Sequence, residues 1–249
     1  MNHKDSLKGK VAFVQGGSRG IGAAIVERLA QEGAAVAFTY ASSVQQAEKT
    51  VTHITAAGGK AIAIQADSND AAAVQAAIRQ TVEHFGALDI LVNNAGVLSW
   101  APLEELTLEE LDRTLAVNVR SVFVACQEAA RHMNDGGRII NIGSVNADRV
   151  PMAGGTIYAM SKSALVGLTK GMARDLGPRH ITVNNVQPGP VDTEMNPADG
   201  EGASQLQALM ALQRYGKAEE IAGFVSYLVG PEAGYITGAS LTIDGGFSA

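Results

Sequence analysis

The chain is expected to fold as an α/β protein, a doubly wound parallel sheet of about seven strands with helices on both faces. Three observations predict it. Short runs of β-branched and aliphatic residues recur without polar alternation, as strands buried on both faces require. Longer Ala-rich stretches separate these runs, long enough to carry a helix from one parallel strand to the next. A glycine-rich turn, Gly16 to Gly22, follows the first apolar run directly.

The elements follow in order. Strands are expected at 11–15, 35–40, 61–66, 90–93, 138–142, 182–187 and 240–243. Helices are expected at 22–31, 44–57, 71–85, 108–133 and 159–176, with Thr107 capping the fourth. The stretch 188–202 is rich in Pro, Gly, Asp and Asn, shows no periodicity, and is long enough to be a lid. A chain of 249 residues is near the upper limit for one hydrophobic core, so 1–249 is expected to form one domain.

Composition excludes several classes. Hydrophobic residues at 46% and charged residues at 18% describe a globular chain. A net charge of −6 opposes binding to a nucleic-acid backbone, so no nucleic-acid partner is expected. No window reaches the ~20 apolar residues of a membrane span. The polar start, Met1-Asn2-His3-Lys4-Asp5, leads into no apolar signal core. The single cysteine, Cys126, cannot form an internal disulfide, which suits a reducing, cytoplasmic setting. With one cysteine and scattered histidines, no metal site is expected.

The glycine turn points to a cofactor. Gly16-Gly17-Ser18-Arg19-Gly20-Ile21-Gly22 runs from a strand into a helix with G-x3-G-x-G spacing. Glycines allow a tight turn and close approach to a phosphate, and the helix start offers free N–H groups and partial positive charge. This is a Rossmann-type dinucleotide turn; taken alone, it also reads as a plain strand-to-helix connection. A site preferring NAD places an acid at the end of the second strand. Here that position reads Thr39-Tyr40-Ala41-Ser42-Ser43, and the first acid after it is Glu48, inside the next helix. Nothing repels a 2′-phosphate, and Arg19 beside the helix start gains from one. NADP(H) is therefore the expected cofactor, with Ser18, Arg19, Ile21, Tyr40, Ala41 and Ser42 among its contacts.

Tyr158 and Lys162 stand at i and i+4, one above the other on a helix face. Tyrosine titrates near 10, and reaching about 7 takes roughly 4 kcal/mol. One cation about 5 Å away at an effective dielectric near 20 supplies about 3 kcal/mol, so the pair is a plausible tuned acid/base. By itself Tyr-x-x-x-Lys is also an ordinary surface pair. Ser144 ends the strand 138–142 fourteen residues before Tyr158, where a hydroxyl can stabilise charge on a substrate oxygen.

Taken together, the turn 16–22, Asn93-Asn94-Ala95-Gly96, Asn118, Ser144, Tyr158-x-x-x-Lys162 and Pro188-Gly189 resemble the short-chain dehydrogenase/reductase family, single-domain type, in order and over nearly the whole chain. The resemblance implies a cofactor half at about 1–150 and a catalytic helix and substrate loop at about 151–249. It implies that Tyr158 is the acid/base, that Lys162 holds the ribose and lowers the tyrosine pKa, that Ser144 orients the carbonyl, and that Asn118 holds a relay water. It further implies cofactor contacts at Asn94, Ala95 and Gly96, at Asp67 with its neighbour Ser68, and at Pro188, Gly189, Val191 and Thr193. Asp67 reads equally as a cap of the next helix. One departure stands out: Gln15 and Gly17 replace the family's usual Thr and Ala-like residue, which alters local hydrogen bonding. The resemblance also implies a homotetramer built on the helices 108–133 and 159–176.

Trp100, Val145, Asn146, Val150, Met152, Met195, Leu206 and Met210 are expected around the substrate. Most are apolar, which favours a small uncharged ketone or aldehyde, and methionines adapt to varied shapes. Arg149 reads as a solvent-facing loop residue rather than an anion contact. The expected function is NADPH-dependent carbonyl reduction, reversible to alcohol oxidation. A 3-oxoacyl thioester reductase is the nearest enzymatic rival. Residues 143–149 and 187–196 also resemble a bacterial subgroup containing a biofilm-dispersal regulator linked to cyclic-di-GMP, so a nucleotide-sensing binding protein on the same fold is a reading of another class.

Overall fold

The computed structural model describes residues 5–249; the polar start at 1–4 lies outside the described residues. Seven parallel strands form one sheet: β1 (Val11–Gln15), β2 (Ala35–Tyr40), β3 (Lys60–Gln65), β4 (Ile90–Asn93), β5 (Arg138–Ile142), β6 (Thr182–Pro188) and β7 (Ser240–Ile243). Their order is β3-β2-β1-β4-β5-β6-β7. The chain reverses direction across the sheet at β1, which pairs with both β2 and β4. A crevice forms beyond the carboxyl ends of the strands at such a switch point.

The pleat divides the core in two. Ala12, Val14, Val92, Ile140 and Val186 face one side, under α1 (Gly20–Gln31), α2 (Val44–Ala56) and α8 (Ala218–Val229). Phe13, Leu91, Ile139 and Val183 face the other, under α3 (Ala71–Phe85), α5 (Ser121–His132) and α6 (Thr156–Leu176). Each such side chain is worth about 1.5–3 kcal/mol when fully buried. Continuous apolar strands are the consequence of having helices on both faces.

A polar row crosses the sheet within this core. Gln15, Asn93, Asn141, Asn185 and Ser240 lie in register across five neighbouring strands. Asn93 Nδ2 donates to Asn141 Oδ1 at 2.8 Å, and Asn141 Nδ2 to Thr169 Oγ1 at 2.9 Å. Cys126 is buried beside this row and accepts from Asn93; burial pushes its thiol up to about 12, so it stays a neutral core residue.

Sequence and structure differ in places. The helix expected over 108–133 is α4 (Leu108–Leu115), a π turn (Ala116–Arg120) and α5 in succession. Thr107 does cap it, in a reciprocal box with Glu110. The last long helix begins at Thr156 rather than 159, and α8 falls outside the expected set. The segment after β6 makes two isolated bridges, Thr193 with Asn196 before the short α7 (Ala203–Ala208) and Val191 with Gly216 beyond it. Among the described residues no helix is long and apolar enough to cross a membrane.

Candidate active site

A cleft of about 770 Å³ opens beyond the carboxyl ends of the strands. At one end lie the glycine turn, the 40–42 strand end, Asp67 and Ser68; at the other lie Ser144, Tyr158 and Trp100.

The turn is shaped by contacts no side chain would permit. Gly16 has φ +74, and a Cβ there would sit 2.9 Å from Ala95 Cα. A Cβ on Gly22 would lie 2.0 Å from the Gly16 carbonyl oxygen, which Asn94 Nδ2 already binds at 2.7 Å. Gly22 is thus buried beneath the turn and does not line the cleft, whereas the spacing of the glycine turn made it a cofactor contact. The two departures have a local cause. A Cβ on Gly17 would meet Phe38 Cβ at 2.6 Å and Val26 Cγ2 at 2.8 Å, so the larger Phe38 takes up its space. Thr39 holds the turn instead: its hydroxyl accepts from Gly16 N and its carbonyl from Gly17 N, both at 2.9 Å. Gln15 reaches Ser68 Oγ at 3.1 Å.

Helix α1 starts without a side-chain cap and without an acid in its first turn. Its first amides and partial positive charge are left to the cleft, as an anion requires. Arg19 stands exposed at this helix start and lines the cleft. These residues fit the diphosphate and 2′-phosphate of NADP(H). Asp67 accepts from Asn69 N at 2.9 Å, while Asp70 caps α3, which removes the capping reading of Asp67.

The four catalytic candidates come from three elements. Ser144 follows β5, Tyr158 and Lys162 stand on the first turns of α6, and Asn118 lies in the π turn. The wider turn aims the buried Asn118 amide at two targets. Its Oδ1 accepts from Val97 N at 2.9 Å, and its Nδ2 donates to Val97 O and Ser161 Oγ, each at 3.0 Å. Ser161 Oγ in turn donates to the Tyr158 carbonyl at 2.7 Å. Lys162 Nζ donates to Ile142 O at 2.9 Å and lies 5.7 Å from the Tyr158 ring centre.

Burial brings the lysine down to about 8. The same burial raises Tyr158 above its ordinary value, and the Ser144 hydroxyl opposes that shift. The protein's own groups therefore do not bring Tyr158 toward neutrality: desolvation outweighs the Ser144 hydrogen bond.

On the substrate side, Val145, Asn146, Met152, Met195, Leu206 and Trp100 line the cleft. The indole lies over Gly154 and Gly155, whose Cβ atoms would approach it to 2.7 and 2.8 Å, and its Nε1 donates to Ala153 O at 2.8 Å. Two expected residues are displaced. Val150 is 47% exposed and does not line the cleft, although its neighbours Pro151 and Met152 do. Met210 is 3% exposed, packed behind the wall in a cluster with Val145, Ala203, Tyr215 and Phe247. Sequence reading missed Phe247, which lines the cleft from more than a hundred positions beyond Ser144; its only local signal is an aromatic after paired glycines. Arg149 is also reassigned: it is half-buried and turned inward onto Phe247.

The family described as enoyl-(acyl carrier protein) reductase matches residues 16–248. A short-chain dehydrogenase/reductase from Serratia marcescens is 76% identical with a TM-score of 0.97, over 98% of this chain and 100% of that one. A short-chain dehydrogenase from Burkholderia cenocepacia, solved in complex with NADP, is 57% identical with a TM-score of 0.97, over 98% and 100%. The cyclic-di-GMP-binding biofilm dispersal mediator protein of Escherichia coli K12 is 50% identical, over 98% of this chain and 99% of that protein. On the family match over residues 16–248 and these identities, the chain belongs to the short-chain dehydrogenase/reductase family of oxidoreductases.

Proposed function

We propose that this protein is an NADP(H)-dependent carbonyl reductase, reversible as an alcohol dehydrogenase, acting on uncharged ketones or aldehydes. The observation that carries this reading is the meeting of Ser144, Tyr158 and Lys162 in one cleft with an uncapped helix start and Arg19. The bound cofactor supplies the hydride that the carbonyl carbon receives. Tyr158 gives its phenolic proton to the carbonyl oxygen, and Ser144 turns its one hydroxyl proton from Asn146 Oδ1 to that oxygen as charge develops, its Oγ still held by Asn146 N. Lys162 binds the ribose hydroxyls and, as a cation, favours the tyrosinate left behind. Asn118 holds the water through which the proton is replaced. Arg19, Ser42 and Tyr40 receive the adenosine end, while Val191 and Thr193 meet the carboxamide.

The test is NADPH oxidation against a panel of ketones, with NADH in parallel. Tyr158→Phe is expected to lower kcat by about 100- to 10,000-fold, the usual worth of a positioned acid, with NADPH affinity kept. Equal turnover by the variant would overturn the assignment.

A second reading is favoured by the 50% identity to the cyclic-di-GMP-binding relative: a nucleotide-sensing protein on an enzyme fold. No turnover on any ketone or 3-oxoacyl thioester, together with tight binding of the guanine dinucleotide, would select it.

A further inference from the structure

We infer that Phe247 is a specificity-determining residue of the carbonyl site and that Arg149 is a positioning residue for Ser144; the inference rests on the carbonyl-reductase reading above.

Phe247 is 2% exposed, lines the cleft that holds Ser144 and Tyr158, and packs in one cluster with Val145, the residue after Ser144. Its place is fixed from both sides. Asp244 Oδ1 accepts from Gly246 N at 2.9 Å and its Oδ2 from Ser248 N at 2.8 Å. Gly245 and Gly246 have φ +61 and +81, and a Cβ on Gly246 would meet Ala211 Cβ at 2.6 Å. Leu212 N binds Gly245 O at 3.0 Å. The ring is a fixed wall, not a loose flap.

Arg149 ties that wall to Ser144. Its guanidinium lies 5.3 Å from the Phe247 ring centre, and its Nη1 donates to the Phe247 carbonyl. Its own carbonyl accepts from Asn146 Nδ2 at 3.2 Å. Asn146 Oδ1 accepts from Ser144 Oγ at 3.2 Å, and Asn146 N donates to Ser144 Oγ at 3.1 Å. One chain of contacts therefore runs Phe247–Arg149–Asn146–Ser144. The cation is committed to a ring and a carbonyl, and among the described residues it joins no carboxylate. That leaves the wall apolar, which suits a neutral ketone whose larger substituent lies against Phe247 and Val145.

The experiment measures kcat and KM for methyl ketones of rising substituent size at saturating NADPH, in wild type, Phe247→Ala, Phe247→Leu, Arg149→Met and Arg149→Lys. NADPH affinity checks that each variant is folded; Phe247→Leu keeps an apolar packing partner should Phe247→Ala fail to fold. Truncating Phe247 is expected to shift the large-to-small ratio of kcat/KM by about tenfold or more, the scale of a lost apolar contact in a pocket. Arg149→Met is expected to lower kcat by about tenfold across the series with little change in KM, as loss of a transition-state contact does. Arg149→Lys, which still donates to the Phe247 carbonyl, recovers most of kcat. Amide hydrogen exchange at Asn146, slow in wild type, is expected to accelerate in Arg149→Met.

An unchanged size ratio in folded Phe247 variants overturns the specificity role. An unchanged kcat and unchanged Asn146 exchange in Arg149→Met overturn the positioning role. Wild type that reduces no ketone defeats the carbonyl reading instead, and the Asn146 exchange still decides whether Arg149 holds Ser144.

Discussion

At the scale of single residues, charge and burial set the chemistry. Lys162 is 5% exposed and held down to about 8. In the proposed reduction the lysine must be charged and the tyrosine protonated. Tyr158 is pushed above its ordinary value, so the lysine titrates first. The rate of ketone reduction is therefore expected to be flat below about pH 8 and to fall above it, as Lys162 loses its proton. A kcat profile from pH 6 to 10 checks this; a plateau persisting to pH 10 would remove Lys162 from the step. Arg19 gives a second residue-scale expectation. It is exposed and stands at an uncapped helix start, where only an anion relieves its conflict with the helix dipole. Arg19→Ala should weaken NADPH by about 10- to 100-fold, the worth of a charge-assisted bond, and leave NADH unchanged. Titrating both cofactors by fluorescence measures it. The Tyr158–Lys162 spacing was legible because i, i+4 geometry is local. The pKa order was not, because it depends on burial under residues far away in sequence.

At the scale of elements, the departures from family habit are compensated inside one turn. Gly17 is forced by Phe38, and Thr39 takes over the backbone bonds. Gly17→Ala should destabilise the fold by about 1–3 kcal/mol through overpacking, read from the denaturant midpoint. Sequence exposed the two unusual residues but not their partners, since Phe38 and Thr39 arrive from the neighbouring strand. The π turn at Ala116–Arg120 was equally hidden: its composition reads as uninterrupted helix, and only contacts to Val97 and Ser161 aim Asn118. Helix α8, with its buried face Ile221, Val225 and Leu228 against the sheet, followed a segment whose loop character dominated the reading.

At the scale of the whole molecule, one sheet places both halves of the chemistry on one rim. The outer faces of α5 and α6 also carry information about assembly. Phe123 is 46% and Met160 45% exposed, and nothing lies within 4 Å of where side chains would sit on Gly167 and Gly171. Small residues and exposed apolar groups on two long helices suit close packing against a second copy, so we expect the homotetramer the resemblance implied. Light scattering at micromolar concentration should give a mass near four times 25.8 kDa; a monomer would refute it. The sequence by itself determined the strand runs, the glycine turn, the missing acid after β2 and the Tyr–Lys pair, because each depends on neighbours within a few residues. Only the tertiary structure decided that Met210 and Gly22 lie behind the cleft, that Val150 lies outside its lining, and that Phe247 and Arg149 close the site. Those placements follow from packing between separate segments of the chain, and no local periodicity encodes them.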